Sequence, residues 1–537
     1  MSLVPPSDDE GVMIADLIAE QEKQNNQIRK RQECRRNCQW DLGLRGYARR
    51  VLDAFGWRFV VFLFFSQFVL KGLVRVLVGS LTLPVYKNVF GVDAVQLQMF
   101  SMIIWTPWSI KPLLGLLSDL TRLGGYHKRW WLVQSVAIGT AGAGLAFLAF
   151  INRSAVGFAV CLAAVQLQLS LYDLLSEAHY STVARDNPET GPDIVTLVQG
   201  YQMSGSIVAT LFVGPMSDAG LLVPLMAMTA GLVFCPLVPT LLGWLPEVRH
   251  LEDGTCRPRL VGAAQLHRDR WMILIIALTG LAAPVTSAVA DAGDPLVALA
   301  LALVLTLGSL VGAWLAFPPM IARIATYRVL ATLARPSIGS AMDYFYMASP
   351  DCLPGGPNFS YAYYMTAAGL VGSVTALAGV FIYQRILSNL TFRAVIVVTT
   401  ILGAAIGASD LFLVLRINVK LGIPDKTAYM VGEAVMEPLI GMLNYMADST
   451  LLSKAVPHGM EGSAYAFMAG LSNYAYMISE LSGALMFETA GVRTNVPCDF
   501  RALWWLVLLC HVGLPAVGGI PAALVLIPSV GQREELH

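Results

Sequence analysis

Several ionisable residues sit where ionisable residues are costly. Lys71 and Arg75 are four apart, so they share one face of any helix that holds them. Asp173 and Glu177 have the same spacing and opposite sign. Glu433 and Glu437 repeat the acidic version later in the chain, and Arg335, Asp343 and Asp448 complete the set. All lie in apolar surroundings, where one charge costs about 2.5–3.5 kcal/mol at the centre of a bilayer on insertion scales. Each therefore needs a partner or a water-filled cavity. Two chemistries satisfy that need. The charges can neutralise one another as structural ion pairs that fix helix register. Alternatively, the cations receive an anionic ligand while the carboxylates exchange a proton, since burial and a nearby cation pull a carboxylate's proton affinity in opposite directions.

The elements that must position these residues are membrane helices. Of 537 residues, 56% are hydrophobic and 13% charged, with 36 Lys+Arg balancing 36 Asp+Glu. An average soluble chain carries about 25% charged residues. The pattern predicts an all-α polytopic membrane protein. Spans are expected near 57–86, 94–119, 130–150, 155–184, 193–217 and 220–245, then 271–290 and 295–318. Six more are expected near 321–347, 361–387, 392–416, 427–453, 461–488 and 501–528, which makes about fourteen. The organisation expected is a polar tail (1–56), a six-helix bundle (57–245), a hydrophilic linker (246–270), a two-helix insertion (271–318), a second six-helix bundle (319–528) and a short tail (529–537). The insertion reads as a peripheral hairpin. Two six-span halves are the pattern of a carrier whose site lies at the midplane between them.

Positive charge sets the orientation. Lys23 to Arg50, the 120–130 loop, Arg185, the linker arginines, Arg323, Arg385, Arg393 and Lys454 fall on one side, whereas loops 291–295 and 348–360 hold no Lys or Arg. Both termini are thus expected on the cytoplasmic side, with Arg416, Lys420, Lys426 and Arg493 as exceptions. The first 55 residues lack an apolar core after a basic start, so they read as a solvated tail rather than a cleaved signal peptide; an amphipathic helix over 12–36 is the alternative. Cys34 and Cys38 have no second ligand pair at metal spacing. Cys352 and Cys498 both fall in loops expected on the non-cytoplasmic side, where a disulfide and two free thiols are both open.

The run Trp105 to Trp131 has an apolar half broken by Pro107, Lys111 and Pro112, then Gly115-Leu-Leu-Ser-Asp119 and a glycine-containing turn with Arg122, Lys128 and Arg129. It resembles the helix 2–3 signature of the major facilitator superfamily. Pro107-Trp108-Ser-Ile-Lys111-Pro112-Leu is similar to the folate–biopterin transporter family within it. So are Leu171-Tyr172-Asp173-Leu-Leu-Ser-Glu177 with Pro188-Glu189-Thr190-Gly191, Phe212-Val-Gly-Pro215-Met-Ser-Asp218, Arg335-Pro336-Ser337-Ile338-Gly339 and Asp343-Tyr-Phe-Tyr346. Gly459-Met-Glu461-Gly462, Ser472-Asn473 and Ser482-Gly483 fit as well, and the likeness is strongest to the kinetoplastid branch.

The resemblance implies a major-facilitator-type fold and proton-coupled carriage of pteridines or folates by alternating access. One branch of the family carries S-adenosylmethionine instead. It also implies that the first and fourth spans of each half line the cavity. Lys71 and Arg75 would then face Asp173 and Glu177, and Arg335 would face Glu433 and Glu437, with Asp343 nearby; all eight are expected to bind substrate. Lys111, Gly115, Asp119 and Arg129 are expected to form the inner gate. The expected partners are a small pterin or folate, protons and lipid, without nucleic acid or cofactor, and the plasma membrane is the expected location. A non-transporting membrane sensor and a channel are the competing readings. Enzyme signatures such as Gly-x-Ser-x-Gly are absent from the sequence.

Overall fold

The computed structural model describes residues 44–186, 190–247, 259–260, 270–292, 294–455 and 461–532. The expectations for the tail with Cys34 and Cys38, for Pro188-Glu189, for most of the linker and for Gly459 lie outside the described residues. A short helix α1 (Leu44–Phe55) leads into α2 (Trp57–Phe90), α3 (Ala94–Leu120), α4 (Arg129–Ile151), α5 (Ala155–Ala184), α6 (Gly191–Asp218) and α7 (Leu222–Leu241). The chain continues through α8 (Arg270–Ala292) and α9 (Pro295–Ala316). The second bundle holds α10 (Pro319–Leu333), α11 (Gly339–Tyr346), α12 (Ala362–Asn389) and α13 (Phe392–Val414). It closes with α14 (Asp425–Tyr429, continued by Met430–Met436 and Glu437–Ala455), α15 (Glu461–Thr489) and α16 (Leu503–Leu526).

Apolar runs become helices because a helix satisfies its own backbone where lipid offers no hydrogen bond. Local signals set the ends. Asp93 accepts from Gln96 N at 2.8 Å after a left-handed Gly91, and Asp294 accepts from Leu296 N at 2.8 Å. Ten described helices are long and apolar enough to cross a membrane. The stretches that fall short are α6, the broken α10–α11, α14 and α15. They carry polar and acidic residues for a cavity or for other helices rather than for lipid.

The span expected over 321–347 is not continuous. Its helix stops at Leu333 and resumes at Gly339. Pro336 lacks an N–H and disfavours helical backbone at the residue before it. The freed backbone groups find partners on other helices. Ser337 N donates to Ser479 O at 3.0 Å, Ser479 Oγ donates to Arg335 O at 2.6 Å, and Gln98 Nε2 donates to Ser337 O at 2.6 Å. Gly483 lies so close to Ser337 that a Cβ there would collide with its backbone. Other helices widen into π-helical turns, and those at Phe64–Val74, Met430–Met436 and Leu508–Gly513 carry Lys71, Glu433 and His511.

Hairpin α8–α9 is not simply peripheral. Ser287 bonds Thr106 of α3 at 2.8 Å, and Thr286 bonds Tyr474 of α15 at 2.8 Å, so α8 bridges both bundles. Its partner α9 keeps a lipid-type face, with Leu315 82% exposed. The bundles pack along α3 and α15, where Asn473 Nδ2 donates to Trp108 O at 2.9 Å, and meet again at the end that carries loops 91–93 and 347–361. Lys87 Nζ donates to Met347 O at 2.7 Å and Asn88 Nδ2 to Tyr361 Oη at 3.1 Å. Asp218 accepts from Tyr361 N and Ala362 N, both at 2.8 Å, and Ala94 N donates to Thr494 Oγ1 at 2.9 Å. At the same end Cys352 and Cys498 form a disulfide, with Cα atoms 5.2 Å apart. It staples two second-bundle loops that contact the first bundle.

Candidate functional site

In the first bundle, Asp173 is held by two lysines. Lys71 Nζ lies 2.6 Å from Oδ1 and Lys111 Nζ 2.5 Å from Oδ2, with side-chain exposures of 18%, 7% and 3% for Lys71, Lys111 and Asp173. Lys71 meets Asp173, the pairing that opposite charge and the resemblance imply. Lys111, expected at a gate, is instead the second buried partner. Arg75 pairs with a ring rather than a carboxylate: its guanidinium carbon sits 5.7 Å from the Trp105 centroid and 5.4 Å from Trp108. The Lys111 ammonium lies 4.4 Å from the Trp108 centroid, and the indole N–H of Trp108 donates to Gln166 Oε1 at 2.9 Å. Proximity of cation and ring face is favourable. Glu177, one turn from Asp173, is exposed. The result is a buried cation–carboxylate–cation cluster beside an aromatic–guanidinium stack.

The second bundle encloses a cavity of about 490 Å³. Arg335 and Pro336 to Gly339 of the helix break line it, with Glu433 and Glu437, Asp410, Asp448 and His511. Arg335 and Glu437 are exposed to it. Among the described residues no carboxylate comes within ion-pair distance of Arg335, although Glu433 and Glu437 both feel its charge. Arg328 Nε instead sits 4.0 Å from Asp448 Oδ2. Deeper in the wall, Asp410 Oδ1 accepts from Tyr346 Oη at 2.8 Å and Oδ2 meets His511 Nδ1 at 2.9 Å.

Asp343 does not line this cavity. It accepts from Tyr364 Oη at 2.5 Å, near Lys87, at the contact between bundles. Asp119 is exposed, with Lys128 and His127 as its charged neighbours. Gly115 has Leu174 and Ala466 at ordinary contact distance and is not pressed against backbone. The Arg129 guanidinium donates to Leu241 O, tying the turn to the end of α7. Glu247 does more there: it accepts from His127 N, Lys128 N and Arg129 N at 2.6, 2.8 and 3.1 Å, capping α4. Burial pulls the Lys128 ammonium below its ordinary value, against Glu247 and Asp119.

Sequence reasoning missed Asp410, His511 and Glu247. The argument from charges in apolar runs applies to Asp410 and His511 as it does to Glu433, so that signal was present. Glu247 gave none, because its partners are backbone groups more than a hundred residues away.

Comparison with known proteins agrees with this architecture. The protein-family model described as the BT1 family matches residues 71–535. A protein from Arabidopsis thaliana named probable folate-biopterin transporter 2 is 25% identical over 475 residues, covering 85% of this chain and 80% of its own. The folate-biopterin transporter of Synechocystis sp. is 25% identical over 435 residues, covering 80% and 75%. Among solved structures, the POT family transporter PepTSo superposes with a TM-score of 0.60 at 13% identity, covering 87% of this chain and 97% of that one. That likeness shows a major-facilitator-type fold and nothing about cargo.

Proposed function

Because this chain belongs to the BT1 family, we propose that it is a secondary transporter of pteridines or folates that works by alternating access and couples cargo to protons. The observation that carries the reading is Arg335, a cation left without a bonded carboxylate among the described residues, in a cavity of about 490 Å³. Ligand pockets commonly enclose about 300–1,000 Å³. An anionic edge of cargo completes the hydrogen-bonding set of a guanidinium bidentately. Glu433 and Glu437 face the same cation and supply exchangeable charge. On the first-bundle side, Arg75 with Trp105 and Trp108 offers a flat cationic platform for a heterocycle. Lys71, Lys111 and Asp173 hold that wall in register.

Orientation follows from charge and redox chemistry. Disulfides persist on the oxidising side of a membrane. On that ground we assign Cys352–Cys498 and loop 348–360, which lacks Lys and Arg, to the outside and both termini to the inside. The conformation described is then sealed on the outer side by Lys87, Asn88 and Asp218. Asp119, Lys128, Arg129 and Glu247 belong to the inner side, where they latch helix ends. The plasma membrane is the location proposed.

Initial uptake of labelled folate and biopterin in cells lacking endogenous transport tests the proposal, with and without a protonophore. Saturable uptake that collapses with the protonophore supports it. Saturable but insensitive uptake removes the proton. No uptake despite confirmed surface expression removes the cargo, and competition with S-adenosylmethionine is then the next comparison.

A further inference from the structure

We propose that Asp410 and His511, completed by Glu433, form the proton-binding site of the second bundle, and that Tyr346 positions it. The proposal deepens the transport reading above and rests on it for the role of Arg335.

Asp410 is an acid within the apolar helix α13, with its side chain 3% exposed. Both of its oxygens are engaged: Oδ1 by Tyr346 Oη at 2.8 Å and Oδ2 by His511 Nδ1 at 2.9 Å. Glu433, on the π-helical turn of α14, lines the same cavity wall and faces the same carboxyl. An ionised carboxylate only accepts, so two acids in contact bond directly when one proton lies between them. The imidazole donates through Nδ1 and leaves Nε2 as a second protonation point. Asp410, Glu433 and His511 all line the cavity, so water can reach them. The titratable and charged groups facing Asp410 are Tyr346 from α11, Tyr429, Glu433 and Glu437 from α14, and His511 from α16. Arg335, from the helix break, faces the two glutamates.

The proton balance is simple. A hydronium in the cavity gives its proton to a Glu433 oxygen and leaves as water. The new O–H donates to Asp410, which keeps its negative charge between the Tyr346 and His511 donors. Arg335 then faces one ionised acid, Glu437, instead of two, and can receive an anionic cargo group. Release of the proton restores the second counter-charge and expels the anion.

The same site touches the contact that closes the outer end. The Tyr346 ring lies 5.9 Å from Phe359, 6.1 Å from Tyr364 and 4.8 Å from Tyr429. Tyr364 donates to Asp343 at 2.5 Å, beside Lys87 of the first bundle. A change of charge in the Asp410–Glu433 pair is thus one aromatic ring away from the seal between bundles.

The test uses full-length protein in proteoliposomes, wild type beside Asp410→Asn and Tyr346→Phe. Folate counterflow and uptake driven by an inward proton gradient are measured across acidic to neutral pH. The expected result for Asp410→Asn is loss of gradient-driven uptake, with any remaining counterflow equal at all pH values. For Tyr346→Phe the expected result is a displaced pH profile. Gradient-driven uptake with the wild-type pH profile in either variant would overturn the proposal. A cargo-free arm separates this idea from the transport reading: pH-difference infrared spectra of the protein in lipid. A protonated-carboxyl band that grows on acidification in the wild type and is missing from Glu433→Gln supports the site even if folate shows no counterflow. An identical band in both proteins overturns it even if folate is carried.

Discussion

Each charged side chain in this protein is legible through what it costs. Asp173 is one carboxylate serving two lysines, Lys111 buried and Lys71 partly so. Its removal leaves both cations without a counter-ion, and breaking a buried pair costs about 3–5 kcal/mol. Asp173→Ala should therefore lower the thermal unfolding temperature in detergent sharply, whereas Lys111→Met, which leaves Lys71 on Asp173, should lower it less. Equal losses would show that the lysines are not alternatives for one acid. Arg335 behaves differently because, among the described residues, it has no bonded carboxylate to lose. Arg335→Ala should abolish uptake while leaving the unfolding temperature close to wild type, and near-normal uptake would return Arg335 to a structural role. Opposite charge, with the resemblance that sets the first span against the fourth, anticipated Lys71 with Asp173. It could not reveal that Lys111 joins them, because Lys111 reaches Asp173 only through the fold of α3 against α5.

Helix positions were legible from apolar runs, but helix interruptions were not. The Arg335-Pro336-Ser337-Ile338 break depends on Gln98 and Ser479, which lie far away in sequence and satisfy the freed backbone. Pro336 by itself reads equally well as a kink. Ser479→Ala should cost about 1 kcal/mol, the net value of one hydrogen bond. Because Ser479 also borders the cavity, uptake should fall with it, and calorimetry beside transport assays checks both. Where α2 and α6 cross, Gly72 and Gly205 face each other so closely that a Cβ on Gly72 would sit 2.8 Å from Gln202 O and from Gly205 Cα. Gly72→Ala should destabilise by about 1–3 kcal/mol through overpacking. Gly115, singled out by its motif, has ordinary space around it, so Gly115→Ala should be milder in the same unfolding assay. A motif marks a position, whereas close approach is a property of two chains.

At the scale of the molecule, two bundles of unequal interior are joined along α3 and α15 and at the end that carries loops 91–93 and 347–361. The first is filled by a charge cluster and the second encloses a cavity, and hairpin α8–α9 is bonded to both. The fold class was legible in composition and span number. The seal was not, since it is built from turns and loop backbone. Rocking requires that this seal open, so cysteines at Asn88 and Tyr361, whose side chains touch, should crosslink under oxidant, stop uptake and release it on reduction. Uptake unchanged by a complete crosslink would mean that the bundles do not separate there. The central claim is that a carrier presents one cargo site to each side in turn. Counterflow in proteoliposomes of the purified protein reads this most directly. With unlabelled folate trapped inside, influx of labelled folate should accelerate and saturate, and Arg335→Ala should remove the acceleration. Influx that rises without limit with outside folate, indifferent to folate inside, would contradict the carrier account.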